Sequence, residues 1–301
     1  MYKMQKVIIT GGTGLVGKRL TTLLQQNGYE VNTLCRKPKY ANEYKWSVEE
    51  GYIDTLVFKD ATTIIHLAGA GVADARWTDT RKKEIIDSRI QSAALLYQYL
   101  SKEQHNIQSF ISASAVGFYG DRDNELLTET STNGTGFLAE VCQLWENAAD
   151  RMTEINITVS KIRIGIVLSK DGGALPKLDF PIKFGIGAYI GNGKQYVPWI
   201  HIDDLSHIFI HLLKNKNLNG TYNACAPDIK TNKQMSQTIA SVLHRPFIPF
   251  PAPAFVINTV MGEMASMLLM SNNCSSEKIS QSGFIFQYPT LQSALKNIYE
   301  E

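Results

Sequence analysis

The sequence predicts an α/β fold in which helices cover both faces of a doubly wound parallel sheet. An apolar strand at residues 7–9 runs directly into a turn that contains Gly11, Gly14 and Gly17. An amphipathic helix begins near Leu15, and strand and helix signals then alternate through the first half of the chain. A strand, a glycine-rich turn and a helix in this order are typical of a Rossmann dinucleotide-binding domain.

Each glycine of this turn has its own steric role. Gly11 permits the tight turn after the strand, Gly14 lets the backbone approach a pyrophosphate, and Gly17 lets the helix pack against the strand. The free N–H groups and the dipole at the start of the helix favour an anion. We therefore expect a dinucleotide pyrophosphate to lie against Gly11, Thr13, Gly14, Leu15, Val16 and Gly17.

Part of the same segment also satisfies the P-loop of nucleoside triphosphatases, because glycines 12 and 17 are followed by Lys18. That loop needs a Ser or Thr hydroxyl after the lysine to hold magnesium. This chain has Arg19 at that position. The sequence thus favours a dinucleotide over a nucleoside triphosphate.

The other elements of the sheet follow from short apolar runs separated by helical patterns. Further strands are expected at residues 30–35, 44–46, 63–69, 109–113 and 157–164. A helix before the fifth strand is predicted by an apolar stripe through Ile86, Ile90, Ala93, Tyr97 and Leu100. A second long helix is expected over residues 137–152.

The pattern changes beyond residue 168, where glycine and proline become frequent. We expect residues 1–168, joined by residues 201–224, to form the dinucleotide-binding Rossmann domain. Residues 169–301 are expected to form a smaller α+β domain that covers the substrate. Glycines at 172, 173, 185, 187, 191 and 193 predict a loop over the site, with Gln195 and Trp199 as candidate substrate contacts.

Four helices are predicted in this second half. The first follows Asp203 or Asp204 as its N-cap, and the second follows Thr231, which forms a capping-box pattern with Gln234. A third, apolar helix is expected at about residues 254–270. The last begins after Thr290 as its N-cap.

The composition narrows the kinds of partner. The 301 residues carry a formal net charge of +2 without a Lys/Arg block, so no nucleic acid is expected. No apolar run reaches the roughly 18 residues of a membrane span, and no signal peptide is evident, so we expect a cytoplasmic protein without a membrane partner. The four cysteines predict neither a disulfide framework nor a metal site. A small-molecule substrate is expected, and whether the chain forms a homodimer stays open.

The end of the second strand indicates which dinucleotide is bound. An NAD-preferring fold places an acidic residue there to hold the ribose 2′-hydroxyl. This chain has Arg36 instead, whose guanidinium can bind a 2′-phosphate. Although a surface Arg-Lys turn is the alternative, the sequence favours NADP(H) over NAD(H).

Several motifs together resemble an extended or atypical short-chain dehydrogenase/reductase. They are the glycine turn, His66-Leu-Ala-Gly69, Ser112-Ala-Ser-Ala-Val-Gly-Phe-Tyr-Gly120 and Trp199-Ile-His-Ile-Asp-Asp-Leu205. More narrowly, Arg76-Trp77, Ser88-Arg89, Trp145-Glu146, Asp171-Gly-Gly and His244-Arg-Pro246 resemble the nucleoside-diphosphate-sugar epimerase-like proteins. The resemblance covers residues 6–298 and specifies the family more closely than the substrate.

The resemblance implies that Leu67, Ala68 and Gly69 line the cofactor at the end of the fourth strand. It also implies that Arg89 reaches toward the nucleotide, with Glu84 nearby on the same helix. For Arg89 the alternative is a surface arginine whose aliphatic part covers apolar neighbours. His66 is interpreted as a packed core histidine.

The candidate catalytic residues differ from those of active short-chain dehydrogenase/reductases, the family that the motifs resemble. Those enzymes use a Tyr with a Lys four residues later, so that the phenol acts as acid or base near neutrality. The matching helix, Phe137–Glu146, offers neither residue. Two hydroxyls are left as candidates: Ser114, which would orient a substrate oxygen, and Tyr119, five residues later. A strand-end hydroxyl that satisfies the backbone is the alternative for Ser114, and packing is the alternative for Tyr119.

These observations predict an NADP(H)-binding oxidoreductase of the epimerase/dehydratase type, acting on a sugar-nucleotide-like or other small carbinol or carbonyl compound without the usual Tyr/Lys dyad. The alternative is a cofactor-binding sensor or scaffold without catalysis. No metal is expected in either case.

Overall fold

The computed structural model describes residues 5–300. Their strands, in chain order, are β1 Lys6–Thr10, β2 Glu30–Cys35, β3 Glu43–Ser47, β4 Tyr52–Ile53, β5 Ala61–His66, β6 Ser109–Ala115, β7 Leu126–Leu127, β8 Thr158–Ile164, β9 Ile166–Ser169, β10 Gly172–Gly173, β11 Ile186–Ile190, β12 Tyr196–Val197, β13 Trp199–His201, β14 Gly220–Ala224, β15 Lys230–Thr231, β16 Ile248–Ala252 and β17 Asn273–Cys274. The α-helices are α1 Leu15–Gln26, α2 Asp79–Leu100, α3 Phe137–Asp150, α4 Leu175–Lys183, α5 Ile202–Lys214, α6 Asn232–Val242, α7 Ala254–Met261, α8 Ser266–Leu269, α9 Glu277–Gln281 and α10 Leu291–Glu300.

One large sheet organises the fold, with strand order β14-β8-β6-β5-β1-β2-β3-β4. Its strands are parallel except for the antiparallel edge pair β3–β4. The order reverses on either side of β1, which is the doubly wound arrangement that places ligands at the carboxyl edge of the strands. This architecture confirms the predicted Rossmann fold, including the short third strand.

The sheet forms because its central strands are apolar on both faces, as parallel strands between two helix layers require. One core cluster contains Val7, Ile65 and Ile111 beneath α1 and α5, and the other contains Ile8, Ile64 and Phe110 beneath α2 and α3. Alternate residues of the same strands therefore face opposite layers.

The residues after β9 build a smaller set of layers. Helices α4, α6 and α10 share an apolar cluster around Trp199, whereas α5 packs on α1 and β14 returns to the large sheet. Thr231 and Gln234 form the predicted capping box of α6, and Thr290 accepts a hydrogen bond from the Ser293 N–H in the first turn of α10. The division at residue 168 stays a prediction.

Three local expectations in this half are corrected. Residues 186–190 form strand β11, paired in parallel with β16, and not a loop. The expected long helix ends at Met261, because Gly262 has a positive φ of 60° that breaks the helical path before α8. The N-cap of α5 is His201, whose side chain accepts the Asp203 N–H, so neither aspartate has that role.

The helices between residues 5 and 300 include none that is both long and apolar enough to cross a membrane.

Candidate cofactor and substrate site

The turn between β1 and α1 is shaped by close backbone contacts. Gly11 has a φ of +72°, and a Cβ there would lie 2.8 Å from the Leu67 carbonyl carbon. A Cβ on Gly17 would lie 2.3 Å from the Gly11 oxygen, so α1 can approach the turn only at a glycine. At Gly14 a Cβ would meet only the Gly11 oxygen, at 3.3 Å. The chain therefore needs Gly11 and Gly17 to fold, whereas Gly14 leaves space above the turn.

The first turn of α1 is open to an anion. Its N-cap, Gly14, supplies no side-chain hydrogen bond, and the turn contains no acidic residue. Thr13 and Gly14 are exposed, and Leu15 and Val16 are half-buried. Free N–H groups at a helix start, together with a cradle that a side chain would fill, fit the pyrophosphate of a dinucleotide.

Arg36 lies just beyond β2 at the same edge of the sheet and is exposed. Within residues 5–300 it has no hydrogen-bond or ion-pair partner, so its guanidinium is free to bind a phosphate. Of the carboxylates on either side of Arg36 in the sequence, Glu30 pairs with Lys6, and Glu43 accepts the backbone N–H groups of Lys39 and Tyr40. This arrangement fits a phosphorylated ribose better than a free 2′-hydroxyl.

Thr10 fixes the segment after β5. Its hydroxyl is 3.2 Å from the N–H groups of both Leu67 and Ala68, and 2.8 Å from His66 Nδ1. His66 is fully buried, and burial followed by the charge of Arg89 lowers its pKa to about 3. His66 is thus a neutral core histidine, as predicted, that holds the end of β5 against β1.

Arg89 bridges this segment to α3. A Cβ on Gly69 would lie 3.0 Å from Arg89 Cζ, and Arg89 Nη1 donates to the carbonyl of Ala70 at 3.0 Å. On its other side the guanidinium lies 4.8 Å from the Trp145 ring centroid. The Arg89 side chain is 8% exposed, and the described residues offer it no carboxylate. Burial lowers its pKa.

Glu84 lies elsewhere on α2. It is exposed and accepts a hydrogen bond from Arg81 Nη1 at 2.6 Å. Of the predicted stripe, Ala93 and Leu100 are buried, whereas Ile86, Ile90 and Tyr97 are half-buried. The buried face also contains Arg89 and Ser92, which the prediction did not include because they are polar.

A cavity of about 230 Å³ lies at the carboxyl edge, between the sheet and the C-terminal layers. Residues that follow β6 and β8 form its floor, and one face of α3 forms a wall. The α3 wall consists of Leu138, Val141, Cys142 and Trp145. Burial raises the pKa of the Cys142 thiol to about 12. No residue of α3 is a tyrosine or a lysine.

Ser114 and Tyr119 lie behind the cavity and do not line it. The Ser114 hydroxyl, on a residue that is 2% exposed, donates to Glu146 Oε1 at 2.7 Å. The fully buried Tyr119 hydroxyl donates to Asn223 Oδ1 at 2.6 Å, and burial raises its pKa. Internal partners occupy both hydroxyls in this structure, and their contact with a substrate stays a prediction.

Their neighbour is a buried ion pair that sequence reasoning missed. Arg163 on β8 donates Nε to Glu146 Oε1 at 2.8 Å and Nη2 to Oε2 at 3.0 Å, with both side chains about 95% buried. Burial opposes the charge of Arg163, but the Glu146 carboxylate outweighs it and raises the arginine pKa. The signal that could have revealed it is Arg163 itself, a charged residue in a strand of the predicted sheet, because a buried charge needs a partner.

Two candidate substrate contacts are also corrected. Trp199 is fully buried and donates its indole N–H to the Asp228 carbonyl at 2.8 Å. Gln195 Nε2 donates to the carbonyls of Ile190 and Leu268, each at 3.2 Å. Trp199 is therefore a core residue, and Gln195 connects β11 to α8. In the described residues no group of three His, Cys, Asp or Glu side chains could hold a metal ion.

Comparison with known proteins agrees with this geometry. Residues 7–149 match the NAD dependent epimerase/dehydratase family, and residues 252–298 match a domain of unknown function, DUF1731. An epimerase family protein of Staphylococcus haemolyticus is 32% identical over 303 residues, covering 99% of this chain and 100% of that protein. The YfhF protein of Bacillus subtilis, of the same description, is 32% identical, with 97% of each chain covered.

The chain belongs to the epimerase family. The resemblance drawn from its motifs is thereby confirmed. Among solved structures of the family, human SDR39U1 isoform 2, crystallised with NADPH, is 31% identical with a TM-score of 0.90, and 99% of this chain and 100% of that chain are covered. A UDP-glucose 4-epimerase from Thermotoga maritima, solved with UDP-glucose, has a TM-score of 0.78 at 17% identity, covering 98% of each chain, which shows a shared fold alone.

Proposed function

We propose that this epimerase-family protein binds NADPH along the carboxyl edge of its sheet and acts as an oxidoreductase on a small carbonyl or carbinol compound. The observation that carries the proposal is an open, glycine-shaped helix start that shares its sheet edge with a cavity. Further support comes from the relative of 31% identity that was crystallised with NADPH.

Different residues of this chain bind different parts of the cofactor. The N–H groups at the start of α1 hold the pyrophosphate, Arg36 holds the 2′-phosphate, and Leu67 to Gly69 form the wall beside the nucleotide. When bound, the cofactor supplies or accepts hydride. The four free cysteines, three of them buried, are consistent with a reducing, cytoplasmic setting.

The proton must come from a group that reaches the cavity. Helix α3 presents Leu138 and Cys142 there, and a thiol with a pKa of about 12 is too weak an acid to donate its proton readily near neutrality. Among the residues that line this cavity, Tyr196 carries the single hydroxyl. We therefore assign proton transfer to Tyr196 and a positioning role to the buried network behind β6.

A second candidate function is a cofactor-binding sensor without turnover. The observation that favours it is the α3 sequence, which has no phenol or ammonium group at the cavity. In that case NADPH would bind and no carbonyl compound would oxidise it.

The test begins with fluorescence titration of NADPH, followed by a screen of carbonyl compounds that records NADPH absorbance. On any active compound, Tyr196→Phe should lower kcat by about 10²-fold or more, since general acids contribute roughly that much. Tyr52→Phe, a half-exposed tyrosine on the edge strand β4, should leave kcat unchanged. If Ser114→Ala loses turnover while Tyr196→Phe does not, the proton passes through the buried network. Absence of NADPH binding would refute the proposed function, and binding without turnover would favour the sensor.

A further inference from the structure

The cavity at the carboxyl edge is small for a sugar nucleotide. Its volume is about 230 Å³, whereas pockets for drug-sized ligands are typically about 300–1,000 Å³. An engineered apolar cavity of about 150 Å³ is enough to bind benzene. The size therefore suits a compound with one ring or a short branched chain.

The cavity wall is also predominantly apolar. Leu138 and Val141 line it from α3, Met235 lines it from α6, and Met267 and Leu268 line it from α8. Methionine side chains adapt to irregular apolar ligands. The hydroxyls of a sugar would lose their hydrogen bonds to water on this surface, at a free-energy cost for each unpaired group.

The charges nearby do not suit a diphosphate. Arg89 is the single charged residue that lines this cavity. A neighbouring cavity of about 420 Å³ shares Leu138 and Met270 with it and is lined by two acidic residues, Asp121, which accepts backbone N–H groups, and Glu263, which pairs with Lys82. A nucleoside diphosphate needs several cationic or N–H donors for its phosphates, and the residues that line these cavities include no cluster of such cations.

Two buried donors on the cavity wall lack acceptors. Arg89 Nε and Trp145 Nε1 have no hydrogen-bond partner in the described part of the chain. Arg89 is 8% and Trp145 7% exposed, and the guanidinium lies over the indole ring. A buried N–H without a partner is destabilising, so each donor would gain from an oxygen acceptor. Both atoms have almost no accessible surface, so a ligand oxygen reaches them only when the guanidinium and the indole shift toward the cavity.

We propose that the substrate is a compact, uncharged and largely apolar carbonyl or carbinol compound, not a sugar nucleotide, and that its oxygen accepts hydrogen bonds from Arg89 Nε and Trp145 Nε1. The proposal rests on the proposed function for the identity of the site. It specifies the substrate class and assigns two residues to it.

Binding to the NADP⁺-loaded protein tests the proposal without turnover. The probes are cyclohexanone, its apolar analogue methylenecyclohexane, and UDP-glucose, with dissociation constants measured by calorimetry or ligand-observed NMR. Cyclohexanone should bind more tightly than UDP-glucose. It should also bind roughly tenfold more tightly than methylenecyclohexane, because hydrogen bonds to a charged donor contribute about that factor.

Two variants locate the binding. Trp145→Phe removes the indole N–H and should reduce the preference for the ketone over its apolar analogue several-fold, a change that loss of packing alone would not cause. Met267→Trp should fill the cavity and abolish binding of both small probes. Val260→Trp, at an exposed position on α7 outside the cavity, is the matched control.

Several outcomes would overturn the inference: tighter binding of UDP-glucose than of cyclohexanone, unchanged ketone binding in Met267→Trp, or no binding of either small probe. Each would do so while NADP⁺ binding persists. Loss of the cofactor itself, measured first by titration, would instead refute the proposed function.

Discussion

Substitution of Glu146 by glutamine should destabilise the fold by about 3–5 kcal/mol, the usual cost of leaving a buried charge without its partner. Glu146 Oε1 and Oε2 are the acceptors for two donors of Arg163 and for the Ser114 hydroxyl. Lys161 Nζ lies 3.7 Å from the same carboxylate and 2.7 Å from Asp150 Oδ2. It therefore still has an ion-pair partner when Glu146 is replaced. Arg163 has no other carboxylate in the described residues.

The measurement is urea unfolding at neutral pH, followed by tryptophan fluorescence and circular dichroism. Glu140→Gln is the matched control, since it lies on the same helix but is exposed, and its effect should stay within about 0.5 kcal/mol. The double variant Glu146→Met with Arg163→Met removes both charges and should recover about half of the loss or more. Equal stability of Glu146→Gln and Glu140→Gln would refute the reasoning, because the charge of Glu146 would then not be needed to stabilise buried Arg163.

Three further predictions concern the cofactor edge. Arg36→Asp should reverse the preference for NADPH over NADH by at least about tenfold in fluorescence titration, because it replaces a charge-assisted hydrogen bond by repulsion; equal wild-type affinities would contradict this assignment. Gly14→Val should abolish NADPH binding with the fold retained, whereas Gly17→Val should also lower the melting temperature, since its Cβ would lie 2.3 Å from a backbone oxygen. His66 has a folded pKa of about 3 against about 6.5 unfolded, so the unfolded chain binds more protons and stability falls as pH drops from about 6.5 toward 3. The free energy of unfolding should fall by about 2 kcal/mol between about pH 7 and pH 5. In His66→Gln, urea unfolding should not show this part of the pH dependence.

Much of the cofactor edge could be predicted because its signals are local. The turn after β1 needs Gly11 and Gly17 for steric reasons that act over a few residues, and the structure shows both constraints. The cap at Thr231 is likewise local. The cap of α5 was missed because His201 is an unusual N-cap, and its aspartates matched the commoner pattern.

The positions of Ser114 and Tyr119 could not be predicted in the same way. Register places Ser114 beside Arg163, a residue on another strand, and the helix between those strands supplies Glu146. A serine at a strand end can face a cavity or an internal carboxylate, and only the packing of α3 on the sheet decides between them. The same packing buries Arg89 and Ser92 on the inner face of α2.

The sequence by itself determined the Rossmann architecture, the phosphate-binding turn and the family, because strand periodicity and glycine sterics are properties of short segments. The tertiary structure alone decided which polar groups line the cavity at the carboxyl edge. Arg89 and Trp145 lie 56 residues apart in the numbering and meet only when α2 and α3 pack side by side. Arg89 Nε and Trp145 Nε1 lack partners because no acceptor within residues 5–300 of the folded chain lies within reach of them, and no local sequence pattern could have indicated this.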